Sequence, residues 1–299
     1  MLRSLVIGAL AVVGTVSVST AAVGAAPVFS VGSSVTVSGA VTDPATYSLE
    51  ALDALPQVSV ASTRAPGTSV AGVSLQTLVT KGSPRLDAGK NPLLRVAVTV
   101  RGIGRAVTFT LGELDAGFGD HPAVLTSATS GSATTRADLV VPGDRTAARS
   151  VFGVSRVEVS LTPPGPVTAS AGGVDVVEGN RTVTVPSTVL ARLPQHRETV
   201  SFNASGVTTS RTFVGPDLAV ALGAVGVFPP AFTSVLTVTG TDSYAADVTL
   251  GEAFFGGRPL LLALSENGTR LPHPRLVTVG DKKGGRYVTD TTSVTARTT

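Results

Sequence analysis

The chain has 299 residues, which is enough for about two domains of ordinary size. Its net charge is only +3, and its arginines are scattered without interleaved aromatic residues, which argues against a nucleic-acid-binding surface. The sequence contains no Cys, and this excludes disulfides, thiolate nucleophiles, Cys-ligated zinc and iron–sulfur clusters.

Residues 1–26 predict a signal peptide for export. Arg3 supplies the positive charge, an apolar stretch follows at 5–18, and the small residues up to Ala26 favour cleavage. A retained membrane anchor is the alternative, because this segment is almost long enough to span a bilayer. No Arg-Arg pair precedes it, so we expect general secretion and a secreted or cell-envelope protein without a membrane segment after cleavage. The mature chain should begin within a few residues of Ala25, and an intact mass that still includes the apolar stretch would contradict this.

The rest of the sequence predicts short strands, turns and a few short helices. Val, Ala, Thr, Ser and Gly dominate, which favours strands and turns over long helices. A first helix is predicted at 48–55, with Ser48 as its N-cap and Pro56 at its end. A second is predicted at 72–79, where the apolar residues share one face. The predicted strands of this half cover residues 35–39, 58–61, 93–100, 106–111, 123–126 and 154–161.

Two similar stretches, 139–151 and 276–288, each run from an apolar strand through Gly-Asp and several small or basic residues to an Arg. Gly-Asp between apolar runs predicts a turn, because Gly accepts positive φ and Asp hydrogen-bonds to its own backbone. Basic side chains at such a turn suit an anion. The candidate anion- or cofactor-binding set is Gly143, Asp144, Arg145, Arg149, Gly280, Asp281, Lys282, Lys283 and Arg286. A structural role, in which each Arg pairs with the Asp of its own turn, is the alternative that we favour, since structural ion pairs are commoner than sites.

The two turns belong to a longer repeat. Five landmarks recur in one order at spacings between about 137 and 143 residues, among them Leu-Gly-Glu and Gly-Asp. A period this long indicates a domain duplication and not a solenoid. The predicted organisation is a first domain at 28–163, a Pro- and Gly-rich linker at 164–173 and a homologous second domain at 166–299.

Four motifs carry a resemblance to a known family. They are Leu-Glu-Ala-Leu-Asp-Ala-Leu-Pro (49–56), Leu-Gly-Glu-Leu-Asp-Ala-Gly-Phe-Gly-Asp-His-Pro (111–122), Asp-Ser-Tyr (242–244) and Pro-Arg-Leu-Val-Thr-Val-Gly-Asp-Lys-Lys-Gly-Gly-Arg-Tyr-Val (274–288). Each half resembles the molybdopterin-binding domain of the sulfite-oxidase-like oxidoreductases, in particular small exported versions of it. The resemblance implies an α+β fold with several small sheets and short helices. It also implies that the Gly-Asp region lies near the phosphate end of the cofactor, which supports the candidate set.

The sequence departs from this family at the metal ligand. The resemblance implies that catalytic members hold molybdenum through a Cys. The corresponding stretches here, about 59–64 and 201–205, contain Ser, Thr, Asn and Arg instead. A neutral hydroxyl is a poor replacement for a thiolate on a soft, high-valent metal. General secretion also implies export of an unfolded and empty chain. We therefore expect no catalytic residues, no bound metal and no resident cofactor, with molybdopterin implied by the resemblance only.

The leading interpretation is an exported, non-catalytic tandem that binds a small anionic ligand or an envelope protein. A molybdopterin-dependent oxidoreductase that acts without the Cys ligand is the alternative, and the pattern leans away from an enzyme. A pair of immunoglobulin-like sandwiches is a third interpretation. The predicted helices at 48–55 and 73–79 oppose it, because such sandwiches consist almost entirely of strands. His121, His196 and His273 are far apart in the sequence and lack the spacing of metal ligands.

Overall fold

The structure, a computed structural model, describes residues 33–127, 136–167, 173–204 and 206–299. The predicted signal peptide and residues 168–172 of the predicted linker lie outside these residues. Within the described part of the chain, no helix is long and apolar enough to cross a membrane.

The first half forms two sheets with short helices between their strands. The strands are β1 (Ser34–Gly39), β2 (Ala45–Ser48), β3 (Gln57–Ala61), β4 (Ser69–Ser74), β5 (Val96–Gly102), β6 (Arg105–Thr110), β7 (Val124–Thr126), β8 (Asp138–Val140) and β9 (Arg156–Leu161). The helices are α1 (Leu49–Asp53), α2 (Leu75–Lys81) and α3 (Leu111–Leu114), with 3₁₀ turns at Pro92–Arg95 and Ala147–Arg149. The strand orders are β2-β1-β9-β5-β6 and β3-β4-β7-β8.

The second half repeats the strands and helices of the first, and among the described residues it repeats the 3₁₀ turn at Ala147–Arg149 but not the one at Pro92–Arg95. Its strands are β10 (Val174–Glu178), β11 (Arg181–Val185), β12 (His196–Ala204), β13 (Val207–Gly215), β14 (Ser234–Gly240), β15 (Ala245–Val248), β16 (Leu260–Glu266), β17 (Thr269–Thr278) and β18 (Thr291–Thr298). Its helices are α4 (Ser187–Leu190), α5 (Leu218–Gly223) and α6 (Leu250–Phe254), with a 3₁₀ turn at Gly284–Arg286. The sheets β11-β10-β18-β14-β15 and β12-β13-β16-β17 have the strand orders of the first half. The predicted α+β class with two similar, strand-rich domains is confirmed, while the domain boundaries stay a prediction.

Two predicted elements begin three residues later than their sequence patterns indicate. The helix predicted at 72–79 starts at Leu75, because Val73 is paired on both sides by β3 and β7. Ser74 then caps the helix, its Oγ accepting a hydrogen bond from Thr77 N at 3.0 Å. The strand predicted at 93–100 starts at Val96, since Pro92 opens a 3₁₀ turn in front of it.

The hydrophobic cores of the two domains interlock. In β1 the alternation of the strand buries Val35 and Val37 in the core of the first domain. Leu94, from the first half of the chain, belongs instead to the core of the second domain. Phe232, from the second half, packs against the core of the first domain. The described residues accordingly form one compact unit in which the two similar domains are packed together.

Candidate functional site

Arg149 is fully buried and binds two carboxylates of its own domain. Its Nε and Nη2 donate to Asp144 Oδ2 and Oδ1 at 2.9 and 2.6 Å, and its Nη1 donates to Glu113 Oε1 at 2.5 Å. Paired hydrogen bonds from one guanidinium to one carboxylate are among the strongest in proteins. Burial raises the pKa of Asp144, but hydrogen bonds from His121 and Arg149 outweigh burial and hold that pKa below its usual value.

Arg286 repeats this arrangement in the second domain. Its Nε and Nη2 donate to Asp281 Oδ2 and Oδ1 at 2.9 and 2.5 Å. Its Nη1 and Nη2 donate to Glu252 Oε2 and Oε1 at 2.8 and 2.7 Å. Both Gly-Asp turns therefore contain the pairing between Asp and Arg that the structural alternative predicts.

A further residue reaches the carboxylate of each turn. His121 Nε2 lies 2.9 Å from the carboxylate of the first turn, and Arg258 Nη2 donates to that of the second turn at 3.3 Å. The glycines provide the room: a Cβ on Gly143 would lie 3.1 Å from His121 Cε1, and one on Gly280 would lie 3.1 Å from Arg258 Nη2. Gly280 has a φ of 93°, as the turn pattern predicts, but Gly143 is not among the described residues with positive φ. In the first turn, glycine is required for space and not for backbone conformation.

The buried glutamates are placed by two matching helix starts. Thr110 Oγ1 accepts a hydrogen bond from Glu113 N at 3.1 Å at the start of α3. Thr249 Oγ1 accepts one from Glu252 N at 3.1 Å at the start of α6. Both glutamates belong to the Leu-Gly-Glu landmark of the repeat, which does not by itself predict that they lie in the site. A charged residue that recurs within an apolar helix start was the available signal, because burial of such a charge requires a partner.

The two groups of charges meet where the domains pack together. We call them the central ion cluster, which consists of Glu113, His121, Asp144, Arg149, Glu252, Arg258, Asp281 and Arg286. A Cβ on Gly251 would lie 3.2 Å from Arg149 Cδ, and one on Gly112 would lie 2.7 Å from Arg286 Cδ. Each arginine thus lies against a helix start of the other domain, and only glycine leaves space for it there.

Main-chain hydrogen bonds join the same two turns to the opposite domain. Arg145 N donates to Phe255 O, and Lys282 N donates to Phe118 O, both at 2.9 Å. The two bonds are equivalent by the repeat, because each turn contributes the residue that follows its Gly-Asp pair. The turns therefore connect the two domains as well as closing each of them.

The central ion cluster carries an unbalanced charge when its histidine is neutral. Four carboxylates then face three guanidinium groups, so one additional proton would neutralise it. Burial raises the pKa of Glu113, Arg149 opposes this shift, and the nearby negative charge of Glu252 adds to it. Glu113 Oε2 also has no hydrogen-bond partner among the described residues. Burial also raises the pKa of Asp281, so Glu113 and Asp281 are the carboxyl groups of the cluster that bind a proton more readily than usual.

The remaining basic residues of the turns are exposed. Lys282 Nζ lies 2.5 Å from Asp120 Oδ2, and Lys283 Nζ lies 5.8 Å from the centre of the Phe118 ring. The guanidinium groups of Arg149 and Arg286 have no exposed surface. A binding role for the candidate set of turn residues stays a prediction.

A second feature, which we call the interdomain cleft, lies beside the second turn. Two adjoining cavities of about 320 and 210 Å³ share Lys90, Asp242 and Tyr244. The smaller one is also lined by Gly284 and by residues Asn91, Gly285, Tyr287 and Thr289. The cleft is therefore formed by the 87–95 segment of the first domain and by two loops of the second.

Hydrogen bonds and one unpartnered hydroxyl define the chemistry of the interdomain cleft. The Tyr244 hydroxyl donates to Gly285 O and accepts from Asn91 Nδ2 at 3.2 Å. Lys90 Nζ lies 5.3 Å from the centre of the Tyr244 ring. The Tyr287 hydroxyl is buried and has no partner among the described residues. Burial raises the pKa of Tyr287, so its hydroxyl remains protonated and able to donate.

The glycines beside this cleft have a packing role. A Cβ on Gly284 would lie 3.2 Å from Phe202 Cδ2, and one on Gly285 would collide with the Phe118 ring. The absence of side chains at these positions is therefore explained by the two aromatic rings.

The donor set does not fit a metal held by thiolate. In the first of the two stretches that the resemblance equates with the family's Cys, Thr63 Oγ1 donates to the carbonyl oxygens of Pro142 and Asp144 at 2.8 and 2.9 Å. In the second, Asn203 Oδ1 accepts from Gly206 N at 2.8 Å. Both side chains are engaged by the backbone, and neither supplies a soft ligand.

No family model matches the chain, and no curated protein matches it. Among solved structures, the sulfane dehydrogenase SoxCD from Paracoccus pantotrophus is similar to 59% of this chain, with 16% sequence identity and a TM-score of 0.35. The match covers 47% of that chain, so it spans about half of its length. This distant likeness is compatible with the sulfite-oxidase-like resemblance and does not confirm it.

Proposed function

We propose that the protein is an exported, non-catalytic tandem of molybdopterin-domain-like units that binds a small ligand with an anionic group. The interdomain cleft is its binding site. The observation that carries this proposal is the buried Tyr287 hydroxyl, which has no hydrogen-bond partner among the described residues, in a residue that lines the smaller cavity together with Lys90. Buried polar groups normally have partners, so an unpartnered donor beside a cleft favours a ligand that supplies an acceptor.

The buried arginines of the turns have a structural role in this proposal. Arg149 and Arg286 donate their hydrogen bonds to carboxylates of their own domains, and each packs against a helix start of the other domain. The lack of any Cys removes the thiolate through which the resembling enzymes hold their metal. The alternative remains a molybdopterin-dependent oxidoreductase that works without this ligand.

We expect a phosphorylated pterin to raise the melting temperature of the wild-type protein, because ligands that bind only the folded state stabilise it. Tyr287→Phe should reduce this shift while keeping the aromatic contacts with Phe202 and Phe213. Lys90→Met should reduce it as well, and Lys81→Met, on the exposed end of α2, should leave it unchanged. An equal shift in all four proteins would contradict binding at this cleft.

Metal analysis of protein purified from its own host separates the two functions. The proposal predicts no molybdenum above background. Molybdenum present at about one atom per chain would instead establish the oxidoreductase alternative.

A further inference from the structure

The outer faces of the two five-stranded sheets are equivalent surfaces with different coverage. Pairing of β5 with β9 places Thr99 opposite Glu158, and pairing of β14 with β18 places Thr237 opposite Thr295. The same registers make Arg101 of the first domain equivalent to a threonine of the second. The two faces are therefore comparable position by position.

In the second domain this face is covered by the linker. Thr162 Oγ1 lies 2.8 Å from both carboxyl oxygens of Asp247, and Gly165 N donates to Thr239 Oγ1 at 2.7 Å. A Cβ on Gly165 would lie only 2.7 Å from Ser293 Oγ. The segment Thr-Pro-Pro-Gly-Pro thus lies directly on the strands. Proline suits this position because it has no N–H that needs a partner, and glycine suits it because the chain approaches closely.

The chain approaches the equivalent face of the first domain through matching hydrogen bonds. Thr299 N donates to Thr233 O at 2.8 Å, as Thr162 N donates to Arg95 O at 2.9 Å. Thr299 Oγ1 lies 2.8 Å from Thr99 Oγ1, on the outer face of β5. Thr299 is therefore the counterpart of Thr162.

The equivalent part of the first-domain face is less covered by the described residues. The side chains of Arg101 and Glu158 are each 41% exposed, whereas their counterparts Thr239 and Thr295 are 0% and 6% exposed. A groove of about 270 Å³ lies there. We call it the first-domain groove, and its lining includes Thr99, Arg101, Glu158, Ser160, Val235 and Arg297.

We propose that the first-domain groove binds an extended, proline- and glycine-containing segment of another protein that carries an acidic side chain. The extended, proline- and glycine-containing form of the proposed segment is inferred from the linker, which covers the equivalent face of the second domain. The charge follows from the lining, where Arg101 is paired with Glu158 at 3.4 Å and Arg297 supplies a second guanidinium group. Arg297 donates to Thr237 Oγ1 at 2.9 Å, interacts electrostatically with the buried Asp247 and forms no close ion pair with a described residue, so its remaining N–H groups can meet a carboxylate. Extended proline-rich segments bind with a small loss of entropy because they are already stiff.

The absence of Cys permits a direct test on the full chain. Ser160→Cys places a single thiol in the groove, and its labelling rate by a maleimide reports access. Adding Pro-Pro-Gly-Pro-Asp after Thr299 should slow this labelling about tenfold, because a tethered segment acts at a high effective concentration. A Gly-Ser-Gly-Ser-Asp extension should have little effect. Ser210→Cys, on the exposed strand β13, should be labelled at the same rate in both extended proteins.

The same thiol tests a separate peptide and its charge. A synthetic Thr-Pro-Pro-Gly-Pro-Asp peptide at millimolar concentration should slow labelling at Ser160→Cys, and Arg297→Gln should weaken this protection. Equal labelling with both extensions and no effect of the peptide would overturn the proposal. Slow labelling of the unextended chain would also overturn it, because the groove would then already be filled by this chain or by a second copy. Neither result depends on ligand binding at the interdomain cleft.

Discussion

Replacing Arg286 by Met is expected to lower the free energy of unfolding by about 3–5 kcal/mol, the range typical when one partner of a buried ion pair is removed. Met fills much of the same space but supplies none of the four hydrogen bonds to Asp281 and Glu252. Both carboxylates would remain buried, with only the longer contacts of Arg258, at 3.3 Å to Asp281 and 3.7 Å to Glu252, among the described residues to replace those of Arg286. Urea denaturation of the two proteins at pH 7 measures the difference.

The control for this experiment is Lys282→Met in the same turn. Lys282 is exposed and pairs with Asp120 at the surface, so its loss should cost less than about 1 kcal/mol. Arg149→Met, the equivalent change in the first domain, should be as damaging as Arg286→Met. A loss below about 1 kcal/mol for both arginines would show that the central ion cluster contributes little to stability.

Replacing Asp247 by Asn is expected to stabilise the protein at pH 8 by as much as about 4 kcal/mol. Asp247 is fully buried on β15, and burial raises its pKa from 3.8 to about 7, while hydrogen bonds from Thr162 and Thr237 oppose this shift. At pH 8 the folded protein must therefore hold a buried negative charge. Asn has nearly the same shape and carries no charge at any pH.

The raised pKa of Asp247 predicts how the stability difference between Asp247→Asn and the wild type depends on pH. A raised carboxyl pKa favours the folded state at low pH, and this advantage is lost as the pH rises through the folded pKa. The stability gap between Asp247→Asn and the wild type should therefore be small near pH 4, grow between about pH 4 and 7 and level off above pH 7. Because the other titrating groups are common to both proteins, the difference isolates residue 247. A gap that is independent of pH would contradict the raised pKa.

The sequence alone predicted the features that depend on local patterns. The repeat of Leu-Gly-Glu and Gly-Asp motifs indicated two copies of one fold, and the matching sheets confirm two similar domains. The Gly-Asp turns were placed correctly, as was the pairing of Arg149 with Asp144, which lies five residues away. The start of α2 was misplaced, because Val73 follows a helical spacing but is paired into β4 by strands that are distant in sequence.

Only the tertiary structure determines which residues of the two domains come into contact. Glu113 and Glu252 are 139 positions apart in the sequence. No local pattern near either residue shows that the helix start of each domain lies against the buried arginine of the other domain. The interdomain cleft and the first-domain groove arise in the same way, from loops and strands of both halves. Local sequence determines hydrogen bonds, turns and periodic faces over a few residues. The meeting of buried charges depends on how whole sheets pack, because only that packing removes water and sets their distances.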